Sequence, residues 1–203
     1  MSSPSPLRFA QPVPSMRLFI ALNLPKNEKK RIQDAVAPLR EANLPVRWVD
    51  PDHYHVTLKF LGDVQPERAD AIAGRLDEVA SKTEPFTLEV GGFGAFPTIR
   101  RPRVIWLGVN ASPALRCLKQ DVEWALTDLG FERETQAFHP HLTLGRADAQ
   151  GGAGVFRGLD EMAASLHYTG SFDVSVVDLM RSKVSKSGPT YTVFGASRLG
   201  SLD

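Results

Sequence analysis

A disulfide framework is ruled out first, because the chain has one cysteine, Cys117. So little thiol suits a reducing compartment, and a cytoplasmic setting is expected. Its surroundings, LRCLKQDVEW, read as helix. There a lone cysteine is expected to be a small core residue rather than a nucleophile. Charge of one sign is also missing. Lys and Arg total 24 against 23 Asp and Glu, a net +1, so no global field draws the protein to nucleic acid or an anionic membrane. An RNA-binding role needs a local basic patch. No apolar run approaches the roughly 18 residues of a membrane span. The opening MSSPSPLRFAQPVPSM has proline throughout and no continuous apolar segment, and does not read as a signal peptide. Residues 1–15 are expected to be a flexible tail, and residues 16–203 a single bilobed, monomeric domain.

Histidine is scarce too, and its placement is uneven. Of five histidines, four fall in two hexapeptides, HYHVTL (His53–Leu58) and HPHLTL (His139–Leu144). The spacing is 141 − 55 = 86. The same offset carries Leu18–Leu22 onto Val104–Gly108, Lys26–Glu41 onto Ser112–Thr127, and PFTLEV onto SFDVSV. The order of elements therefore repeats, although few individual residues do. Each copy reads as strand, helix, His-bearing strand, variable segment and strand.

The second-copy helix is the clearest. Ser112 can cap it, Pro113 suits its first turn and Gly130 its end, while Leu115, Leu118, Val122, Leu126 and Leu129 form one apolar face. Its first-copy counterpart, Asn27 to Ala42, should kink or stop at Pro38. A further helix from Pro66 to Lys82 presents Ala69, Ile72, Leu76 and Val79, and a weaker one is expected near 158–167. GGAG at 151–154 reads as a flexible connection without the ending of a phosphate-binding loop. Polar–apolar alternation in several strands favours antiparallel sheets with one solvated face. The expectation is an α+β fold: a pseudo-two-fold duplication with two mainly antiparallel sheets flanking a groove and helices outside.

On a strand, side chains alternate faces. His53, His55 and Thr57 should share one face, and His139, His141 and Thr143 the other copy's equivalent. Two facing His-x-Thr units suit in-line displacement at phosphorus, where one imidazole takes a proton from the nucleophile and the other gives one to the leaving oxygen. An ordinary histidine, at about 6.5, offers both protonation states near neutrality. The threonine hydroxyls can donate to phosphate oxygens. No metal or cofactor is needed. The competing reading is a metal site of up to four imidazoles. It leaves the threonines unexplained. His167 stands alone and is expected at the surface.

His55-Val56-Thr57-Leu58 and His141-Leu142-Thr143-Leu144 resemble the paired HxTx motifs of the 2H phosphoesterases. With MRLFIALNLP, VRWVDPDHYHVTLKFLGDV, RPRVIWLGV, FHPHLTLGRA and LMRSKVSKSGPTYTVF, the chain resembles the RNA 2′,3′-cyclic phosphodiesterase (2′-5′ RNA ligase-like) branch over about Met16 to Phe194. That resemblance implies a bilobed fold and hydrolysis of terminal RNA 2′,3′-cyclic phosphates, or of small cyclic nucleotides, to 2′-phosphates. In some members it also implies reversible 2′-5′ ligation. It makes His55 the proton donor and His141 the acceptor, a choice pseudo-symmetry alone leaves open. Thr57 and Thr143 would hold the phosphate. Arg146 is a phosphate ligand by family position, although strict alternation turns it away from His141 unless Gly145 marks a bulge. Lys59 shares parity with His55. Arg100, Arg101 and Arg103 form a candidate basic patch. Tyr54 and Tyr191 are candidate stacking residues, whereas Phe60 and Trp48 are expected in the core. His53 and His139 fall outside the motif, and arginine is usual before Pro140.

Overall fold

The computed structural model describes residues 15–148, 154–185 and 188–200. Residues 1–14 of the expected 1–15 tail, and residues 151–153 of the GGAG connection, lie outside the described residues.

Among the described residues, nine strands form one curled, mostly antiparallel sheet in the order β7-β4-β5-β6-β3-β1-β8-β9, with β2 paired to β6. They are β1 (Met16–Asn23), β2 (Val46–Trp48), β3 (His55–Val64), β4 (Phe86–Thr98), β5 (Arg101–Val109), β6 (His141–Ala147), β7 (Thr169–Val174), β8 (Val176–Ser185) and β9 (Gly188–Arg198). The helices are α1 (Lys26–Ala35), α2 (Ala37–Glu41), α3 (Pro66–Ser81), α4 (Pro113–Ala125) and α5 (Leu159–Ser165). The chain breaks between α1 and α2 at Val36, with Pro38 in the first turn of α2, where its missing N–H costs nothing. Ser112 accepts from the Leu115 N–H at the start of α4, and Gly130 closes the following turn at φ 78°.

The duplication is visible in the hydrogen bonding. β3 and β6 meet at Val56 and Leu142, which are 142 − 56 = 86 residues apart. β4 and β7 meet with Thr87 opposite Asp173, again 173 − 87 = 86, and the Thr87 hydroxyl donates to the Asp173 carboxylate at 2.8 Å. A residue paired with its own repeat equivalent lies on a two-fold axis, so two such pairs fix the axis of pseudo-symmetry. The halves do not stand as independent sheets. β4, from the first copy, pairs with β5 of the second, and β8, from the second, pairs with β1 of the first. This strand exchange joins the two expected sheets into one.

The two faces of β1 show the layering. Leu18, Ile20 and Leu22 enter the main core with Ile72 and Leu76 of α3 and Leu115 and Leu118 of α4. Phe19 and Ala21 point the other way and pack with Met180 and Tyr191. Helices thus cover one face of the sheet, and the other face carries the groove. At about 25 cal/mol per Å² of apolar surface, each fully buried leucine of this core stabilises the fold by about 2 kcal/mol.

Cys117 corrects an expectation: it is exposed. The buried face of α4 runs through Leu115, Leu118 and Val122. Residue 117 falls off that stripe at 100° per residue.

Candidate active site

His55 and His141 each stand at the first residue of their strand. Each ring is anchored by the backbone two residues earlier. His55 Nδ1 lies 2.7 Å from the His53 carbonyl, and His141 Nδ1 lies 2.8 Å from the His139 carbonyl. A carbonyl oxygen only accepts, so both rings carry the Nδ1 proton and keep Nε2 free. This gives the outer histidines a role that needs only their main chain. His53 ends a 3-10 turn (Pro51–His53), and residues 131–140 have no regular structure. Both outer histidines thus precede the strands and strand alternation does not place them, yet His53 lies beside His55 with its ring edge-on to Tyr191 at 5.2 Å, and His139 shares a cavity lining with His141. Among the described residues, no three His, Cys, Asp or Glu side chains are grouped to hold a metal ion.

Both histidines, Thr57 and Thr143 line one groove of about 760 Å³. Its charged lining is lopsided: Arg17, Arg40, Arg47 and Arg146 face a single carboxylate, Asp50. A neutral protein thus builds a cationic groove by gathering arginines from β1, α2, β2 and β6. The clustered Arg100, Arg101 and Arg103 sit at the β4–β5 turn, exposed and away from this lining. Arg17, Arg40 and Arg47 carried no local sequence signal, because the fold alone brings them together.

Arg146 reaches the groove through a bulge. Opposite β5, Ile105 pairs with Gly145 and Trp106 with Thr143, leaving Leu144 as the extra residue. In the first copy Ile20 pairs with Lys59 and Ala21 with Thr57, leaving Leu58 extra. Leu58 and Leu144 are again 144 − 58 = 86 apart. Each bulge inverts the alternation, so two consecutive residues are buried and the next emerges.

This corrects the expectations for Lys59 and Phe60. Lys59 is 3% exposed, bonds to Glu123 at 2.5 Å and donates to the Glu132 carbonyl at 2.7 Å. Glu123 also accepts from Lys119, which bonds to Glu134 at 2.7 Å. Those bonds tie the irregular segment before His139 to β3 and α4. Phe60, expected in the core, is 63% exposed and lines the groove. Tyr54 is fully buried and cannot stack on a ligand, whereas Tyr191 and Trp48 both line the groove.

The two histidines differ in setting. His55 packs against Phe19 at 4.9 Å and edge-on against Tyr191 at 5.2 Å. Burial, aided by the positive charges of Lys29 and Arg146, lowers its pKa to about 4, so the ring is neutral near neutral pH. His141 meets Phe96 edge-on at 5.1 Å, and Phe96 in turn lies against Trp106.

Residues 22–106 match the family described as LigT like phosphoesterase. The RNA 2′,3′-cyclic phosphodiesterase of Aeropyrum pernix is 37% identical over 163 residues, which is 79% of this chain and 89% of its own. That of Methanothermobacter thermautotrophicus is 31% identical over 189 residues, or 91% of this chain and 99% of its own. The crystal structure of Escherichia coli LigT complexed with 3′-AMP superposes with a TM-score of 0.69 at 26% identity, over 92% of this chain and 99% of that one.

Proposed function

The chain belongs to the RNA 2′,3′-cyclic phosphodiesterase family of LigT-like phosphoesterases, a family of hydrolases, and we propose that His55 and His141 open terminal RNA 2′,3′-cyclic phosphates to 2′-phosphates by acid–base catalysis. The observation that carries this reading is the matched pair of Nδ1 anchors in one cationic groove. Two rings with the same tautomer and a free Nε2 suit a reaction with one proton transfer on each side of phosphorus.

In the proposed reaction, His141 Nε2 takes a proton from water as its oxygen attacks phosphorus. His55 delivers a proton to O3′ as the P–O3′ bond breaks. Thr57 and Thr143 donate to the non-bridging oxygens, and Arg146 with its neighbouring arginines balances their charge. Burial holds His55 neutral near neutral pH, so as a donor it must gain its proton together with the substrate. A phosphate anion supplies the reason: it pairs with the arginines and sets negative charge beside the ring. The same proton transfers serve reversible 2′-5′ ligation when a hydroxyl replaces water.

The test is product analysis with a 2′,3′-cyclic-phosphate oligonucleotide in the presence of EDTA. A 2′-phosphate product with undiminished rate is expected. A 3′-phosphate product, or a rate abolished by the chelator, would overturn the reading.

A further inference from the structure

The two anchor carbonyls are equivalent, but the residues that lead to them are not. At the offset of 136 − 50 = 86, Asp50-Pro51-Asp52-His53 lands on Gln136-Ala137-Phe138-His139. In the first copy this stretch makes its own turn. The Asp50 carboxylate accepts from the Asp52 N–H at 2.9 Å, and the His53 N–H donates to the Asp50 carbonyl at 2.8 Å. Lys29 of α1 adds a bond to the Asp52 carbonyl at 2.6 Å. The second copy has neither the aspartates nor the proline, and residues 131–140 take no regular structure. Yet the His139 carbonyl reaches the His141 ring as closely as His53 reaches His55.

The buried network of Lys59, Lys119 and Glu123 is placed to hold it there. Residues 133–139 form a wall of a chamber of about 640 Å³, which opens onto His141, Thr57 and Phe60. The three charged side chains line neither this chamber nor the cationic groove, but they grip the wall from behind. Lys59 donates to the Glu132 carbonyl, and the Glu123 carboxylate accepts from the Glu134 N–H at 3.3 Å. Lys119 donates to the Glu134 carboxylate and lies 5.6 Å over the Phe138 ring, one residue before His139. Glu123 is the hub, since both lysines and the Glu134 N–H converge on it. Burying three charges is a poor way to gain stability, because apolar residues of similar volume often do as well or better. Their use lies in the backbone they hold.

We propose that Glu123 is a positioning residue for His141: with its two lysines it holds residues 132–138 so that the His139 carbonyl keeps the His141 proton on Nδ1. The proposal rests on the phosphodiesterase reading, with His141 as the base. A base must leave its reacting nitrogen free, and an imidazole with its proton on Nε2 cannot accept another there. Loss of the grip lets His141 enter the tautomer that cannot act. His55, anchored by its own turn, is untouched.

The experiment compares the wild type with the double variant Lys59→Met/Glu123→Leu, which removes the hub and leaves Lys119 paired with Glu134. NMR shifts of the ring nitrogens, read where the rings are neutral, report which nitrogen carries the proton. Both rings should show Nδ1–H in the wild type. In the double variant His141 should become a mixture of tautomers while His55 stays as it was. One hydrogen bond is worth up to about tenfold in an equilibrium, so kcat on a cyclic-phosphate dinucleotide should fall by about that factor. KM should change by less than about threefold, because the network lines neither cavity. Glu134→Ala cuts one tie at a partly exposed side chain, and should shift the His141 tautomer in the same direction but less. A general loosening of the fold would disturb both rings, so a change at His55 equal to that at His141 would overturn the proposal. So would a His141 ring that keeps its Nδ1 proton in both variants, which leaves the phosphodiesterase reading intact. Wild-type protein that hydrolyses no cyclic phosphate would remove both.

Discussion

HVTLKF (His55–Phe60) and HLTLGR (His141–Arg146) follow the same backbone path to different ends. Each begins with an anchored imidazole, continues through an alternating threonine, and bulges at leucine. The buried residue after the bulge is lysine in one copy and glycine in the other. Lys59 needs the carboxylate of Glu123 beneath it, whereas Gly145 leaves room for β2: a Cβ there would fall 2.5 Å from Val46 Cγ1 and 2.9 Å from the Trp48 ring. The residue that emerges is Phe60 in one copy and Arg146 in the other. β3 and β6 are antiparallel, so each emerging residue serves the other strand's histidine: Phe60 borders the chamber of His141, and Arg146 acts on His55. Duplication supplied the matched pair of anchored imidazoles on which the proposed proton transfers rest. Divergence one turn of the pleat later made one end of the groove aromatic and the other cationic.

The strongest way to break that comparison is at its common element. His55→Ala and His141→Ala should each lower kcat by about 10²- to 10⁴-fold, measured on a cyclic-phosphate dinucleotide. Full activity in either variant would end the two-sided mechanism. Next come the buried bulge residues. Lys59→Ala strands Glu123 without one of its two ammonium partners and should cost about 3 kcal/mol, read from the denaturant midpoint. Replacing Lys59 and Glu123 together by apolar residues should recover part of the loss. If the single variant is as stable as the wild type, the network is not holding the 132–138 segment.

The divergent ends give smaller effects. Arg146→Ala removes the proposed charge-assisted partner of the phosphate and should raise KM by roughly tenfold, with Arg146→Lys restoring only part. An unchanged KM would place Arg146 outside the phosphate's reach. His55 also links stability to acid. Its folded pKa, about 4, lies below the ordinary value near 6.5, so the unfolded chain binds the proton first. Its contribution to stability is therefore intact above about pH 6.5 and is lost as pH falls through about 4. Bound inorganic phosphate should raise the His55 pKa, followed by NMR titration of the ring. A ring that stays neutral with phosphate bound would reverse the assignment of acid and base. Smallest of all, His53→Ala and His139→Ala should change kcat less than threefold, because each residue offers its carbonyl to the ring of His55 or His141. A loss as large as that of His55→Ala would show that the outer imidazoles take part.

Much of this was legible in the residues. The 86-residue offset, Ser112 at a helix start and Pro38 at a helix break are local or periodic signals, and each survives in the structure. Lys59 and Phe60 were misread because period-two alternation holds only while no residue is inserted, and the bulge at Leu58 has no glycine or proline to announce it. Cys117 was misread for a different reason: a helix hides its cysteine only if the residue falls on the apolar stripe.

What the sequence determined by itself was the duplicated unit and the His-x-Thr pair within it, because element order and side-chain alternation depend on neighbours a few residues away. Tertiary structure alone decided the exchange of β4 and β8 between halves, the gathering of Arg17, Arg40, Arg47 and Arg146, and the parity of Phe60 and Arg146. Those depend on which strand each residue meets across the sheet. Pairing between elements distant in sequence is set by packing of the whole chain, and no short stretch encodes it.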